Sequence, residues 1–264
     1  MNTIGRARTD VAGVSTAYLD SGDGEPLVAL HGIPTSSLLF EPLVPHLHGY
    51  RLIAPDLLGQ GLAAVPQHGR LDTTEYRRHL EAFLDQLPIE AFHLLLHDFG
   101  AILGLAWAVR HPSRTRSVIV LSTTIAPSAR ATLFYTFNLI FGRAGLRQAL
   151  PRTLARPRHL PPELLDEWTR PWTRRRLLRG WDHFAPRHLR TARAALSGIE
   201  CPTLVVWGMN DRVFPLTHAR RIERLLPDAA LATIPRCGHW ATIDAPEDVA
   251  TEVRRFCPSA RARV

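Results

Sequence analysis

The chain has no lysine. Its 32 Lys-plus-Arg positions are all arginine, set against 24 acidic residues, for a formal charge of +8. That excess is uneven. Residues 143–193 hold thirteen arginines and only four acidic residues, so the remainder of the chain is near neutral. Cysteine is also scarce. Cys201, Cys237 and Cys257 are odd in number and lack metal-ligand spacing, which argues against a disulfide framework and a thiolate metal site. No run approaches the roughly 18–20 apolar residues of a membrane-spanning helix. The stretch from Met1 to Arg6 lacks the apolar core of a signal peptide. These absences lead to the expectation of a cytoplasmic protein with reduced thiols, no metal and no cofactor. An arginine-rich segment can attract nucleic acid or anionic membrane. No nucleic-acid motif or row of interleaved aromatics accompanies it, so a solvated helical surface is the simpler reading.

What is present centres on residues 92–110. The first part is almost wholly apolar, as in a parallel strand buried on both faces. The last part is apolar at nearly every position and reads as a buried helix. Between them stands Asp98, a charged group at a strand-to-helix turn, with Gly100 two residues on. Asp is a common helix N-cap. The other reading is a nucleophile elbow, in which a sharp turn presents an attacking side chain above the sheet. The usual elbow is Gly-x-Ser-x-Gly; here Asp98 holds the nucleophile place, Gly100 the second glycine and Leu96 replaces the first.

The rest of the chain supplies context. Residues 14–20 read as a hairpin strand before the Ser21–Gly24 turn cluster. Short strands are expected at 27–30, 51–54, 117–121, 203–208 and 231–234, and helices at 73–87, 217–226 and 246–256. Such alternation predicts an α/β fold, a mostly parallel sheet with helices on both faces. From 126 to 197 no strand is evident and prolines interrupt helical segments, as in an inserted helical lid. The expected division is a core at 1–125 and 198–264 with a lid at 126–197. Ligands of such sheets bind beyond the strand C-termini. Four candidate loops should meet there: His31-Gly32-Ile33-Pro34, Asp98, Asp211 and His239. Their order of nucleophile, acid and base is the α/β-hydrolase order.

Together His31-Gly32-Ile33-Pro34-Thr35-Ser36, Asp56-Leu57-Leu58-Gly59-Gln60-Gly61, His97-Asp98-Phe99-Gly100, Trp207-Gly208-Met209-Asn210-Asp211 and Gly238-His239 resemble the α/β-hydrolase superfamily. The branch they resemble has an aspartate nucleophile: epoxide hydrolases and haloalkane dehalogenases. The resemblance spans nearly the whole chain and is weakest in the lid. It implies Asp98 as nucleophile, His239 as base and Asp211 as its acidic partner. The chemistry fits. A carboxylate attacking a saturated carbon gives an ester, which a His-activated water can cleave. The backbone N–H groups of Ile33 and Phe99 are the expected oxyanion donors. His31 and His97 are expected to support their loops.

Two departures bear on the substrate. Dehalogenases carry side-chain N–H donors for halide where this chain has Phe99 and Ile33, which donate nothing. Trp168, Trp172 and Trp181 of the lid are substitutes to consider. Epoxide hydrolases use two lid tyrosines; here Tyr135 and His183 are the candidate pair. The expectation leans to an epoxide-hydrolase-like enzyme acting on a small apolar substrate. Dehalogenation, ester, lactone or natural-product hydrolysis, and a non-catalytic ligand receptor are the alternatives. A homo-oligomer is left open.

Overall fold

The computed structural model describes residues 5–67, 71–173 and 186–257. Eight strands form one sheet in the order β1-β2-β4-β3-β5-β6-β7-β8. In chain order they are β1 (Ala7–Val11), β2 (Val14–Ser21), β3 (Glu25–Leu30), β4 (Tyr50–Pro55), β5 (Phe92–His97), β6 (Thr115–Leu121), β7 (Thr203–Gly208) and β8 (Ala229–Ile234). From β4 to β8 every pairing is parallel, and β1 and β2 pair antiparallel at one edge. Strands β5 and β7 are buried at every position, which explains their unbroken apolar sequence.

Strands β3 and β6 begin two residues before their expected starts, because the ladder also takes in Glu25-Pro26 and Thr115-Arg116. Two features differ from the sequence expectation. The hairpin of β2 is made with β1 through Ala12-Gly13, both at positive φ, whereas Ser21–Gly24 leads to β3, which β2 does not pair with. Residues 37–46 were not foreseen as helical. They form a 3-10 helix, Ser37–His46, since Pro42 and Pro45 each remove the N–H an α-helix needs.

Helices α1 (Thr73–Asp85) and α2 (Phe99–Ala108) follow β4 and β5. Between β6 and β7, which are neighbours in the sheet, the chain leaves for some eighty residues, about 120 Å if all helical. This insert carries α3 (Ala129–Thr153), broken at Gly142, then α4 (Pro162–Thr169) and α5 (Pro186–Leu196). No strand occurs in it among the described residues. Helix α5 packs against α2 and buries Leu189, Ala192 and Leu196. We therefore propose that the lid ends before α5, and that α5 is the crossover helix returning the chain to the sheet. Helices α6 (Leu216–Glu223), α7 (Ala241–Asp244) and α8 (Pro246–Phe256) complete the layers.

Close packing at the β5–α2 turn depends on Gly100. A Cβ there would lie 2.3 Å from the carbonyl oxygen of Leu30 and 2.6 Å from that of His31. Both obstacles are backbone of the neighbouring strand, so neither can rotate away. Gly100→Ala is expected to destabilise the fold by about 1–3 kcal/mol, read as a lowered denaturant midpoint with an unchanged slope. A neutral effect would show that the turn is looser than this geometry.

Candidate functional site

Asp98 sits at the C-terminal end of β5 with φ +51° and ψ −119°, a strained backbone for any residue but glycine. Its carbonyl and amide are held in place: Thr123 Oγ donates to the Asp98 carbonyl at 2.7 Å, and the Asp98 N–H donates to Leu121 at 3.2 Å. Asp98 stands at the N-cap position of α2, but its side chain makes no capping bond further into the helix. Instead Oδ1 accepts from the backbone N–H of Ile33 at 3.0 Å, and the N–H of Phe99 also holds the carboxylate. The loop after β3 can approach this closely only because residue 32 is glycine; a Cβ there would lie 2.4 Å from that of Asp98.

Asp211 follows β7 and His239 follows β8, so the parallel sheet delivers both to the same edge. The His239 Nδ1–H donates to Asp211 Oδ2 at 3.0 Å. The other carboxylate oxygen accepts from the N–H groups of Val213 and Phe214, at 2.8 and 2.9 Å. Both lone-pair sets of Asp211 are thus spent on fixing its orientation. His239 Nε2 then faces Asp98 Oδ2 at 3.9 Å, beyond direct hydrogen bonding. Phe214, Trp240 and His97 wall in the imidazole, with centroids 4.5–5.4 Å away.

Burial controls the charges here. Desolvation pushes the Asp98 carboxyl up to about 6, although His239 and the two N–H groups oppose it. Desolvation also works against the His239 imidazolium, but the charge and hydrogen bond of Asp211, with Asp98, outweigh it and leave its pKa raised. His97 is pushed the other way, well below the ordinary value, by burial and by the nearby His239 charge. It is neutral, and its Nε2–H donates to the His239 carbonyl at 3.1 Å. His31 is neutral too: Nε2 accepts from Leu57 N–H at 2.9 Å and Nδ1–H donates to Gly32 O at 2.8 Å. Each of these histidines ties together two segments at the C-terminal edge of the sheet.

Of the lid candidates, Tyr135 lies on α3 close enough to feel the Asp98 charge. Desolvation first, and that charge second, hold its phenol well above the ordinary value, so it stays protonated. His183 and Trp181 lie outside the described residues. Trp168 spends its N–H on Ser36 Oγ at 3.2 Å and is not a spare halide donor. Trp172 is buried. No group of metal-ligating side chains occurs among the described residues. No described helix is long and apolar enough to cross a membrane.

Sequence reasoning missed a clasp between lid and core. Glu167 of α4 accepts from Ser36 Oγ at 2.6 Å and from both Arg6 nitrogens, at 2.9 and 2.5 Å. Arg6 also reaches Asp56 at 2.9 Å. Asp244 is a second such point, accepting from the N–H groups of Ala155, Arg156 and Gly238. Partners 161 residues apart, as Arg6 and Glu167 are, leave no local pattern to read.

A profile of the alpha/beta hydrolase fold matches residues 25–246. The chain is 26% identical to a cis-3-alkyl-4-alkyloxetan-2-one decarboxylase of Shewanella oneidensis over 90% of its length and 84% of that protein's. It is 27% identical to haloalkane dehalogenase 2 of Mycobacterium bovis over 89% of each. Among solved structures, a haloalkane dehalogenase DbeA-M1 loop variant from Bradyrhizobium elkanii superposes with a TM-score of 0.77. It is 22% identical, with 96% of this chain and 95% of that one covered.

The raised Asp98 pKa has a stability consequence. The unfolded carboxyl releases its proton near the ordinary 3.8, the folded one only near 6. Between those values the unfolded state gains relative to the folded one, and above them the penalty is complete, at about 3 kcal/mol. Asp98→Asn carries no such penalty. It is expected to be more stable than the parent at pH 8, with the advantage shrinking as pH falls through 6 and gone near 4. Parallel denaturant titrations measure this; a pH-independent difference would mean the carboxyl is not desolvated.

Proposed function

The chain belongs to the α/β-hydrolase fold family, and on that premise we propose that it opens an apolar epoxide through a covalent ester on Asp98. One observation carries this reading. The Ile33 and Phe99 N–H groups already hold the carboxylate of the residue at the nucleophile place. In an acyl-transfer hydrolase that nest receives an oxygen of the substrate. Here the oxygen belongs to the enzyme, so the ester to be hydrolysed is one whose carbonyl is Asp98's own.

The geometry supports the proposed steps. Asp98 Oδ2 attacks an epoxide carbon, the ring C–O bond breaks, and Tyr135 supplies the proton to the departing oxygen. His239 Nε2 then takes a proton from water, whose oxygen adds to the Asp98 carboxyl carbon. The negative charge that forms on Oδ1 stays on the same two N–H donors, which need no reorganisation. Collapse expels the diol, with the new carboxyl proton passing to the leaving oxygen, and the His239 proton restores Tyr135. Asp211 keeps the imidazole in the tautomer that leaves Nε2 bare.

A second reading draws on the oxetanone decarboxylase relative. A four-membered lactone is also a strained oxygen heterocycle, and its ring oxygen could use the same Tyr135 donor. Neither Ile33 nor Phe99 offers a side-chain donor to halide, which weighs against a haloalkane. Losing one good donor to a developing anion typically costs about 10²–10³ in rate.

Two expectations test the proposal. His239→Gln should stop turnover after one event and leave an adduct on the Asp98 peptide, visible by intact-protein and peptide mass spectrometry. Attack requires no base, while release does. An unmodified variant incubated with a substrate the parent turns over would falsify the Asp98 ester. The parent should show turnover that falls with acidity, since attack needs Asp98 ionised and release needs His239 neutral. Single-turnover attack should lose its acid limb near pH 6 and steady-state release at a higher pH. Paired assays with an aryl epoxide, a bromoalkane and a cis-dialkyl oxetan-2-one then decide the substrate class. Diol formation should exceed bromide release, and Tyr135→Phe should lower it about 10²–10³-fold. Bromide release in excess, or epoxide turnover indifferent to Tyr135→Phe, sinks the epoxide assignment. Alkene release from the oxetanone alone moves it to the second reading.

A further inference from the structure

Helix α3 is apolar on two sides. One side is turned inward, burying Ala131 and Asn138 and bringing Tyr135 near Asp98. The other carries Leu133, Phe137, Ile140 and Phe141, spaced i, i+4, i+7 and i+8, which is a single helical stripe. Leu133 is 72% exposed, Ile140 59% and Phe141 56%, and the Phe137 and Phe141 rings lie 4.7 Å apart. Single exposed leucines are ordinary, whereas a contiguous apolar stripe marks an interaction surface.

The charge around the stripe identifies its partner. Helix α3 holds Arg130, Arg143, Arg147 and Arg152 and no acidic residue. Arg143 and Arg147 both bond Asp166 at 2.7 Å, and Arg170 approaches it at 3.7 Å, so three guanidiniums share one carboxylate. The surroundings therefore stay strongly positive. A second copy of the chain would bring the same arginine-rich surface against itself, and the convex outer side of a helix offers no groove for a peptide.

We propose that α3 docks the protein on an anionic lipid surface, with the Leu133–Phe141 stripe entering the interface and the flanking arginines meeting lipid phosphates. Aromatic and leucine residues beside an arginine-rich face are the composition of an interfacial helix. Long arginine stems keep their charge at headgroup level while covering apolar surface. Docking rests only on exposure and charge. Its use rests on the proposed chemistry: the same helix carries Tyr135 inward, so an apolar epoxide dissolved in the bilayer would meet the lid first.

The test is flotation of the full-length protein with phosphatidylcholine vesicles, with and without phosphatidylglycerol. The parent should float with the anionic vesicles and stay behind with the neutral ones, and salt should release it. Leu133→Ser and Ile140→Ser should each lower the partition about tenfold, the equivalent of one lost leucine-sized burial. Arg130→Gln should lower it about fivefold and leaves the stripe intact. Thermal melts of these exposed-site variants should match the parent. A parent that stays in solution with both vesicle types overturns the proposal, as does flotation unchanged by all three substitutions. A dimer in light scattering that Leu133→Ser dissolves, without flotation of the parent, makes the stripe a self-association surface instead. None of these readouts uses turnover, so failure here leaves the Asp98 chemistry standing, and failure there leaves the docking.

Discussion

A carboxylate buried at the end of a central strand is the constraint on which the rest of this molecule depends. Removing a charge from water is expensive unless hydrogen bonds replace the hydration shell. Asp98 receives two backbone N–H groups, from Ile33 and Phe99, and a histidine within Coulombic reach. That supply requires the loop after β3 to lie almost on top of the β5–α2 turn. It does so because residues 32 and 100 lack side chains. The neutral His31 then fixes that loop to the one after β4. Even so, the pKa of about 6 shows incomplete compensation. The uncompensated part leaves a more basic carboxylate than free aspartate, which suits the attacking role proposed for it.

The insert between β6 and β7 belongs to this arrangement as much as the core does. Each proposed catalytic loop has a lid contact. The acid loop meets the lid where Ser128 Oγ donates to Val213 O. The base loop is held through the His239 N–H on Thr153 O, and through Asp244 on Ala155 and Arg156. The oxyanion loop meets α4 through Ser36, Glu167 and Trp168. The lid is thus attached to the segments that carry Asp211, His239 and the Ile33 N–H.

Legibility in the sequence followed the range of the interactions. The parallel sheet was readable because β5 and β7 are apolar at every position, a local pattern. The meeting of Asp98, Asp211 and His239 was readable because one rule places all loops after parallel strands at one edge. Strand β1 was not, since its residues are mostly exposed and its pairing comes from Ala12-Gly13 rather than from alternation. The clasp of Arg6, Asp56 and Glu167 could not be read either, because it joins three remote segments through side chains with no period. The proposed shorter lid was not legible for a related reason. Helix α5 has an arginine-rich sequence like the lid, yet its Leu189, Ala192 and Leu196 pack on the core.

The proposed division between loops that handle the nucleophile and a lid that handles the leaving group also limits what can vary. The Phe99 ring is fully buried and packs edge-on against Tyr76 at 5.2 Å, while the Tyr76 hydroxyl donates to Leu58 O. The side chain at 99 is thus part of the core between the elbow and α1, and only its N–H serves the site. Ile33 is likewise buried, and its N–H is already committed to Asp98. Neither position can take up a donor role without disturbing the packing that holds the carboxylate. In the proposed reaction, stabilisation of a departing group then comes from the lid, whose side chains are not bound by the sheet's geometry. Under the proposed reaction, substrate class is accordingly a property of α3 and its neighbours, and ester formation followed by hydrolysis is a property of the core.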